Sequence, residues 1–181
     1  MQTENQLIKD CINKRKGAMD ELYKRFAPKM FGICMRYAKC KMEAEDFLQE
    51  GFIKVFTNLD SFRCDGSLEG WIRRIIVNNI INSYRQKKPY FEDIDTCKEA
   101  YRESVDSEIL SDLTAEELLR LVHELPEGYR VVFNLYVVEG YQHKEIAEML
   151  NVSESTSKTQ LLKARKALQE KIKSVVYEQA I

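Results

Sequence analysis

Between Phe62 and Asn79 the chain mixes aromatic rings, guanidinium groups and amides. Phe62 and Arg63 open a turn-rich loop that runs to Ser67, and Trp71, Arg73, Arg74, Asn78 and Asn79 follow on a helical pattern. Nothing in this set is arranged to break bonds; it suits the non-covalent chemistry of a single nucleic-acid strand. An aromatic face contributes about 1 to 3 kcal/mol per stacked base, and arginines hold the phosphates. A duplex hides its bases from such a surface. Taken singly, Trp71 reads as a core residue, Phe62 as a staple and the arginines as solvated. Taken as a set, they favour strand binding.

A second group lies between His143 and Lys173. Ile146, Ala147 and Leu150 form one apolar stripe, and small Ala147 leaves room for a second helix to cross closely. Asn151 tolerates the left-handed backbone that a helix exit often requires. Val152 can plug the elbow, and Ser153 can cap the next helix, with Glu154 in its first turn. In that helix Leu161, Ala164, Leu168 and Ile172 keep one face buried, while Ser155, Lys158, Thr159, Leu162, Lys163 and Lys166 look outward. This is the layout of a helix-turn-helix, and the outward face suits a DNA major groove. The competing reading is a helical hairpin with solvated lysines; corner chemistry and one-sided charge coinciding weigh against it. Ser157 is the oddity. It falls where such units usually bury an aliphatic side chain, so its hydroxyl must bond back to the helix or find another partner.

An enzyme needs convergent, perturbed groups, and none is evident: no nucleophile with a base and an orienting group, no phosphate-binding glycine loop, no paired carboxylates set against a cleft. Two histidines and five cysteines without a CxxC pair predict neither a metal site nor a cofactor. The odd cysteine count argues against structural disulfides, and Cys64 reads as a small buried hydrophobe in preference to a redox sensor. The first residues lack the apolar core of a signal peptide. No later segment approaches the roughly 18 apolar residues that span a membrane. A cytoplasmic protein with no membrane insertion is therefore expected.

Helices must position these groups. Three prolines and seven glycines in 181 residues, with no long run of alternating β-branched residues, predict an all-α fold. Helical patterns run from about Glu4 to Asn13, Gly17 to Lys39, Met42 to Leu59 and Leu68 to Lys87. They resume from Leu113 to Leu125 and from Pro126 to Val138, with Gly140 ending the last before the helix-turn-helix. On the third of these, Asp46, Gln49, Glu50 and Ile53 share one partly polar face that can pair with basic residues of a partner or stay solvated. The net charge of −1 says nothing of nucleic acid, but its distribution does. From Glu92 to Glu117 ten acidic residues stand against Lys98 and Arg102, between two more basic regions. Two small helical domains, 1–88 and 112–181, joined by an acidic linker over 89–111, are the expected organisation.

With these residues in view, the chain resembles the bacterial RNA polymerase sigma factors, specifically the extracytoplasmic-function (ECF) group of the sigma-70 family. The resemblance covers nearly the whole chain. Its most specific stretches are Ala44–Glu50, Phe62-Arg63, Trp71–Ile75 with Asn78, Leu125-Pro126-Glu127, and His143 to Ala167. It implies a sigma-2-like first domain and a sigma-4-like second domain. Asp46, Gln49 and Glu50 would face the coiled coil of the polymerase clamp, with Ile53 on the same face. The loop from Phe62 to Leu68, together with Asn78, would hold a flipped base of the minus-ten promoter element, with Trp71, Arg73 and Arg74 supporting the melted strand. Base capture would then trap the opened duplex.

In the second domain the resemblance assigns Lys158, Thr159, Leu162 and Lys163 to the minus-thirty-five element, with Arg165 on a phosphate. Lysine and threonine reach base edges or phosphates, and Leu162 can touch a thymine methyl. Family members often carry Gly, Val and Arg where this chain has Ser155, Ser157 and Gln160. The implied partners are core RNA polymerase, promoter DNA as duplex and as melted single strand, and an anti-sigma factor. DNA affinity without polymerase is expected to be weak, because each basic surface is small and the linker repels the duplex. The alternative is a conventional helix-turn-helix regulator, which would bind duplex DNA tightly without polymerase.

Overall fold

The computed structural model describes residues 3–63, 65–86 and 114–179. Among these the chain is all-α, as expected, with no strand. The expected linker over 89–111, Cys64 and Cys97 lie outside the described residues. The chain divides into two compact units, Met1–Ser83 and Tyr84–Ile181.

The first unit is built from α1 (Glu4–Ile12), α2 (Ala18–Tyr37), α3 (Lys41–Thr57), a single 3-10 turn (Leu59–Ser61) and α4 (Leu68–Gln86). Thr3 caps α1 by accepting from the Gln6 N–H at 3.4 Å. Gly17, at φ +83°, supplies the left-handed entry to α2. Before α3, Glu43 reaches back to accept from the Lys39 N–H at 2.6 Å. Ser67 does the same service for α4, its Oγ accepting from the Gly70 N–H at 3.0 Å.

The core follows the helical period. Leu22, Phe26, Met30, Ile33 and Tyr37 of α2, Phe47, Phe52 and Val55 of α3, and Leu68, Ile72, Ile76 and Ile80 of α4 are all buried. Helices α3 and α4 approach closely at Gly51. A Cβ there would stand 2.7 Å from Ile76 Cγ1 and 3.6 Å from its Cα, so only glycine fits.

The second unit consists of α5 (Ala115–His123), α6 (Glu127–Phe133) continuing into a π-helical turn (Asn134–Val138), α7 (His143–Leu150) and α8 (Glu154–Gln179). Thr114 and Glu117 form a reciprocal capping box at the start of α5. Its last carbonyls are answered by a buried arginine: Arg130 Nη1 donates to the His123 oxygen at 2.7 Å and to the Leu125 oxygen at 3.3 Å. Leu121, Leu125, Ala164, Leu168 and Ile172 form a buried cluster against which Leu118, Val122, Tyr129 and Phe133 pack.

One expected element differs. The single helix from Pro126 to Val138 keeps α-geometry only to Phe133, after which the Glu139 N–H reaches back to the Asn134 oxygen at 2.9 Å across a wider turn. The extra residue leaves Val137 and Val138 exposed while Leu135 and Asn134 are buried. Gly140, at φ +79°, then turns the chain toward α7.

The Gly51 contact is testable. A methyl group there overpacks the α3–α4 contact by about 1 to 3 kcal/mol, against at most about 1 kcal/mol regained in helix propensity. Gly51→Ala should therefore lower stability by about 1 kcal/mol in denaturant titration. Combined with Ile76→Ala, its cost should shrink, because the obstructing atom is gone. Equal costs in both backgrounds would mean that Ile76 is not the obstacle.

Candidate nucleic-acid and partner interfaces

Three surfaces carry the residues that the sequence singles out. The first opens at the start of α4. Ser61, Phe62, Arg63, Asp65, Ser67, Gly70, Trp71 and Arg74 line an open cavity of about 400 Å³. The Phe62 and Trp71 rings meet at 5.3 Å between centroids, tilted by 51°. Both are half-buried, so each still offers part of its face to a ligand, and Arg63 and Arg74 are exposed beside them. Four predicted residues thus share one cavity. Asn78 is exposed one turn beyond Arg74, and Arg73 is half-buried; neither lines the cavity. With aromatic walls, two cations and hydroxyls at the rim, the cavity can stack a base and hold its phosphate.

The second surface is the outer face of α3. Asp46, Gln49, Glu50 and Ile53 are all exposed, with Ile53 at 59%. Gln49 and Ile53 line a groove of about 430 Å³ with Tyr23, Glu45, Leu48, Phe52 and Phe56. The Tyr23 and Phe52 rings stand edge-on at 4.8 Å across it. An apolar trough beside carboxylates suits a partner helix that carries both apolar and basic side chains.

Behind this face lies a residue that the sequence reading grouped with the strand-binding amides and that the structure buries instead. Asn79 is 3% exposed. Its Nδ2 donates to Glu50 Oε2 at 3.2 Å, and its Oδ1 accepts from Lys54 Nζ. The signal for it was present: an amide set beside Ile76 and Ile80 on an apolar stripe must find polar partners.

The third surface is the helix-turn-helix of α7 and α8, and its corner forms as the sequence requires. Asn151 is left-handed at φ +56°, and the Val152 N–H bonds the Ala147 oxygen at 3.0 Å. Ser153 Oγ accepts from the Thr156 N–H at 3.0 Å and so caps α8. On α8, Lys158 and Arg165 are exposed and Thr159, Leu162 and Lys163 are half-buried, while Leu161, Ala164, Leu168 and Ile172 face inward. Lys158 pairs with Glu154 at 2.7 Å, and this bond holds the Glu154 carboxyl below its ordinary range.

The Ser157 oddity has a structural answer. The side chain is fully buried, and its Oγ meets His143 Nδ1 at 2.9 Å. The imidazole in turn stacks on Tyr136, 4.4 Å between centroids and 22° between planes. Partial burial, with Lys158 and Arg165 nearby, pushes the imidazole below its ordinary value, and Glu154 opposes them. The buried Cys34 thiol is pushed up to about 12 by desolvation, which keeps it from acting as a nucleophile. Among the described residues no three His, Cys, Asp or Glu side chains converge to hold a metal ion, and no helix is long and apolar enough to cross a membrane.

These surfaces coincide with two family matches: sigma-70 region 2 over residues 22–90 and sigma-70 region 4 over residues 115–168. The chain is 29% identical over 184 aligned residues to the ECF RNA polymerase sigma factor SigW of Bacillus subtilis, spanning 93% of this chain and 98% of that one. It is 27% identical to the ECF RNA polymerase sigma-E factor of Haemophilus influenzae, spanning 96% and 97% respectively. In fold it resembles the sigma factor RpoE of Bartonella quintana, solved in complex with the anti-sigma factor NepR. The TM-score is 0.51 at 18% identity, over 87% of this chain and 98% of that one.

The burial of His143, together with the charge of Lys158 and Arg165 nearby, sets a pH dependence. Its folded value lies below 6.5, so the folded state favours the neutral ring. That contribution to stability is complete above the unfolded value and is lost as pH falls from there through the lowered folded value. In an NMR titration the His143 ring protons should turn over below 6.5, and Lys158→Gln should move the midpoint upward. A midpoint that does not move would take Lys158 out of the cause.

Proposed function

The chain belongs to the ECF group of the sigma-70 family, and from that premise we propose how its surfaces divide the work of a sigma factor. A sigma factor joins core RNA polymerase, directs it to promoters and assists their melting. In this reading residues 1–88 serve the polymerase clamp and the minus-ten element, and residues 112–181 serve the minus-thirty-five element, with 89–111 connecting them. The work takes place in the cytoplasm, and the chain itself catalyses no reaction.

On α3, Asp46, Gln49 and Glu50 offer carboxylates and an amide to basic groups of the clamp, while Ile53 and the groove beside it take an apolar side chain. An anti-sigma factor that covered this groove would compete directly with polymerase. At the head of α4, Phe62 and Trp71 stack an unpaired base, Arg63 and Arg74 hold its phosphates, and Arg73 and Asn78 continue the track along the strand. On α8, Lys158, Thr159, Leu162 and Lys163 enter the major groove, with Arg165 on the backbone.

The observation that carries this reading is the aromatic and cationic cavity at the head of α4, formed within the stretch that matches sigma-70 region 2. A conventional regulator of duplex DNA has no use for an open cavity whose wall is two aromatic rings in contact. The two sigma-70 regions, met in order along one chain, weigh against that alternative as well.

Two measurements test the assignment. In a pull-down with purified core polymerase, binding should saturate for the native chain and be lost for Asp46→Arg, which puts a cation on an exposed position of α3. Equal capture of both would move the polymerase contact elsewhere. In the reconstituted holoenzyme, Trp71→Ala should cut open-complex formation by about tenfold or more, the equivalent of a stack of about 1 to 3 kcal/mol, with core binding retained. Permanganate reactivity of unpaired thymines reads this directly.

A further inference from the structure

Glu50 and Lys54 stand four residues apart on α3, with the acid on the amino-terminal side. This is the favoured order for an intrahelical ion pair. Yet no ion pair joins them: Asn79, reaching across from α4, donates to Glu50 and accepts from Lys54. Both charged groups find a partner in this one amide, which is almost fully buried while the two charged side chains are exposed. A buried amide has a fixed direction. Its Nδ2 faces the carboxylate, its Oδ1 faces the ammonium, and neither end can turn over without placing like against like.

We propose that Asn79 is a positioning residue for polymerase binding: by bridging Glu50 and Lys54 it keeps the Glu50 carboxylate out of the ion pair with Lys54 and available to a cation of the polymerase. This rests on the reading of the α3 face given above. Asn79 bonds only Oε2 of the exposed Glu50, which leaves Oε1 open to a partner. Remove the amide, and Lys54 becomes the nearest cation to that carboxylate. An exposed pair of this kind competes with a partner by up to roughly fivefold in affinity. The residue touches no partner itself and acts through Glu50. It also lies beside Asn78, so the same turn of α4 supports the partner face on one side and presents an amide toward DNA on the other.

The experiment is a double-mutant cycle read as affinity for purified core polymerase, by fluorescence titration of the full chain. Asn79→Ala should weaken binding by roughly fivefold when Lys54 is present. In a Lys54→Met background, where the carboxylate has no neighbour to collapse upon, the same change should cost less than about twofold. Asn79→Leu, which conserves volume, serves as the second variant, and thermal melts confirm that each protein is folded. A purely structural role for Asn79 predicts the same loss in both backgrounds, and that result overturns the proposal. Asp46→Arg is titrated alongside. If it loses binding while the cycle gives equal costs, the polymerase face stands and the positioning role falls; if it binds as tightly as the native chain, the face itself is wrong and the proposal falls with it.

Discussion

The first unit depends on how closely α3 and α4 can approach, because one carries the exposed face of Asp46, Gln49, Glu50 and Ile53 and the other carries Trp71 and Arg74 of the aromatic cavity. Gly51 sets that approach by sterics, having no side chain where a Cβ would press on Ile76. Asn79 adds a directional polar tie at the same contact, bonded to two residues of α3. Apolar packing alone would allow the helices to slide and repack at little cost. A buried amide with two fixed partners does not, since any slip strands a donor or an acceptor away from water. Trp71 and Arg74 stand on α4 beside the buried stripe of Leu68, Ile72 and Ile76, of which Ile76 packs against Gly51. The cavity and the α3 face are thus carried by two helices in direct contact.

The second unit solves a related problem with a different device. A helix-turn-helix needs its second helix rigid relative to its first, and the corner alone supplies only local bonds: the left-handed Asn151, the Val152 N–H and the Ser153 cap. Most such units then bury an aliphatic side chain where this chain has Ser157. Here the polar group is satisfied by His143 from the first turn of α7, and that imidazole is backed by Tyr136. A hydroxyl, an imidazole and a phenol ring thus replace one greasy contact. This exchange makes the junction sensitive to protonation, since an imidazolium beside Lys158 and Arg165 is unfavourable. An aliphatic residue at 157 would carry no such dependence.

Much of this was legible in the residues. The helix-turn-helix corner follows from Asn151, Val152 and Ser153 because each acts on its own backbone or its immediate neighbour, and local chemistry is what a sequence encodes most directly. The buried stripes of α2, α4 and α8 follow from period alone. The Phe62, Arg63, Trp71 and Arg74 grouping was visible as a mixture of residue types, although not the fact that it closes into a cavity, which depends on how the loop before α4 folds back. What escaped was non-local. The Asn79 partners lie 25 and 29 residues away on another helix. The His143–Ser157 bond crosses a corner. The π-helical turn after Phe133 was hidden because Val137 and Val138 extend an apolar run that looks helical whichever way it is wound.

The magnitudes also explain why such a chain should depend on a larger partner to open DNA. Extruding a base costs a few kcal/mol, and a base stacked on the exposed part of the Phe62 or Trp71 ring would return about 1 to 3 kcal/mol. The cavity therefore roughly balances the disruption that creates its ligand, leaving little surplus to melt the neighbouring pairs. Phosphate contacts of the kind proposed for the basic face of α8 weaken steeply with salt, and the chain as a whole carries a net charge of −1. A surface so balanced discriminates between open and closed DNA without driving the transition alone. Such poise would suit a specificity subunit: one that bound tightly only where polymerase already held the duplex and the sequence favoured opening would draw the energy of melting from the assembly and supply the choice of site itself.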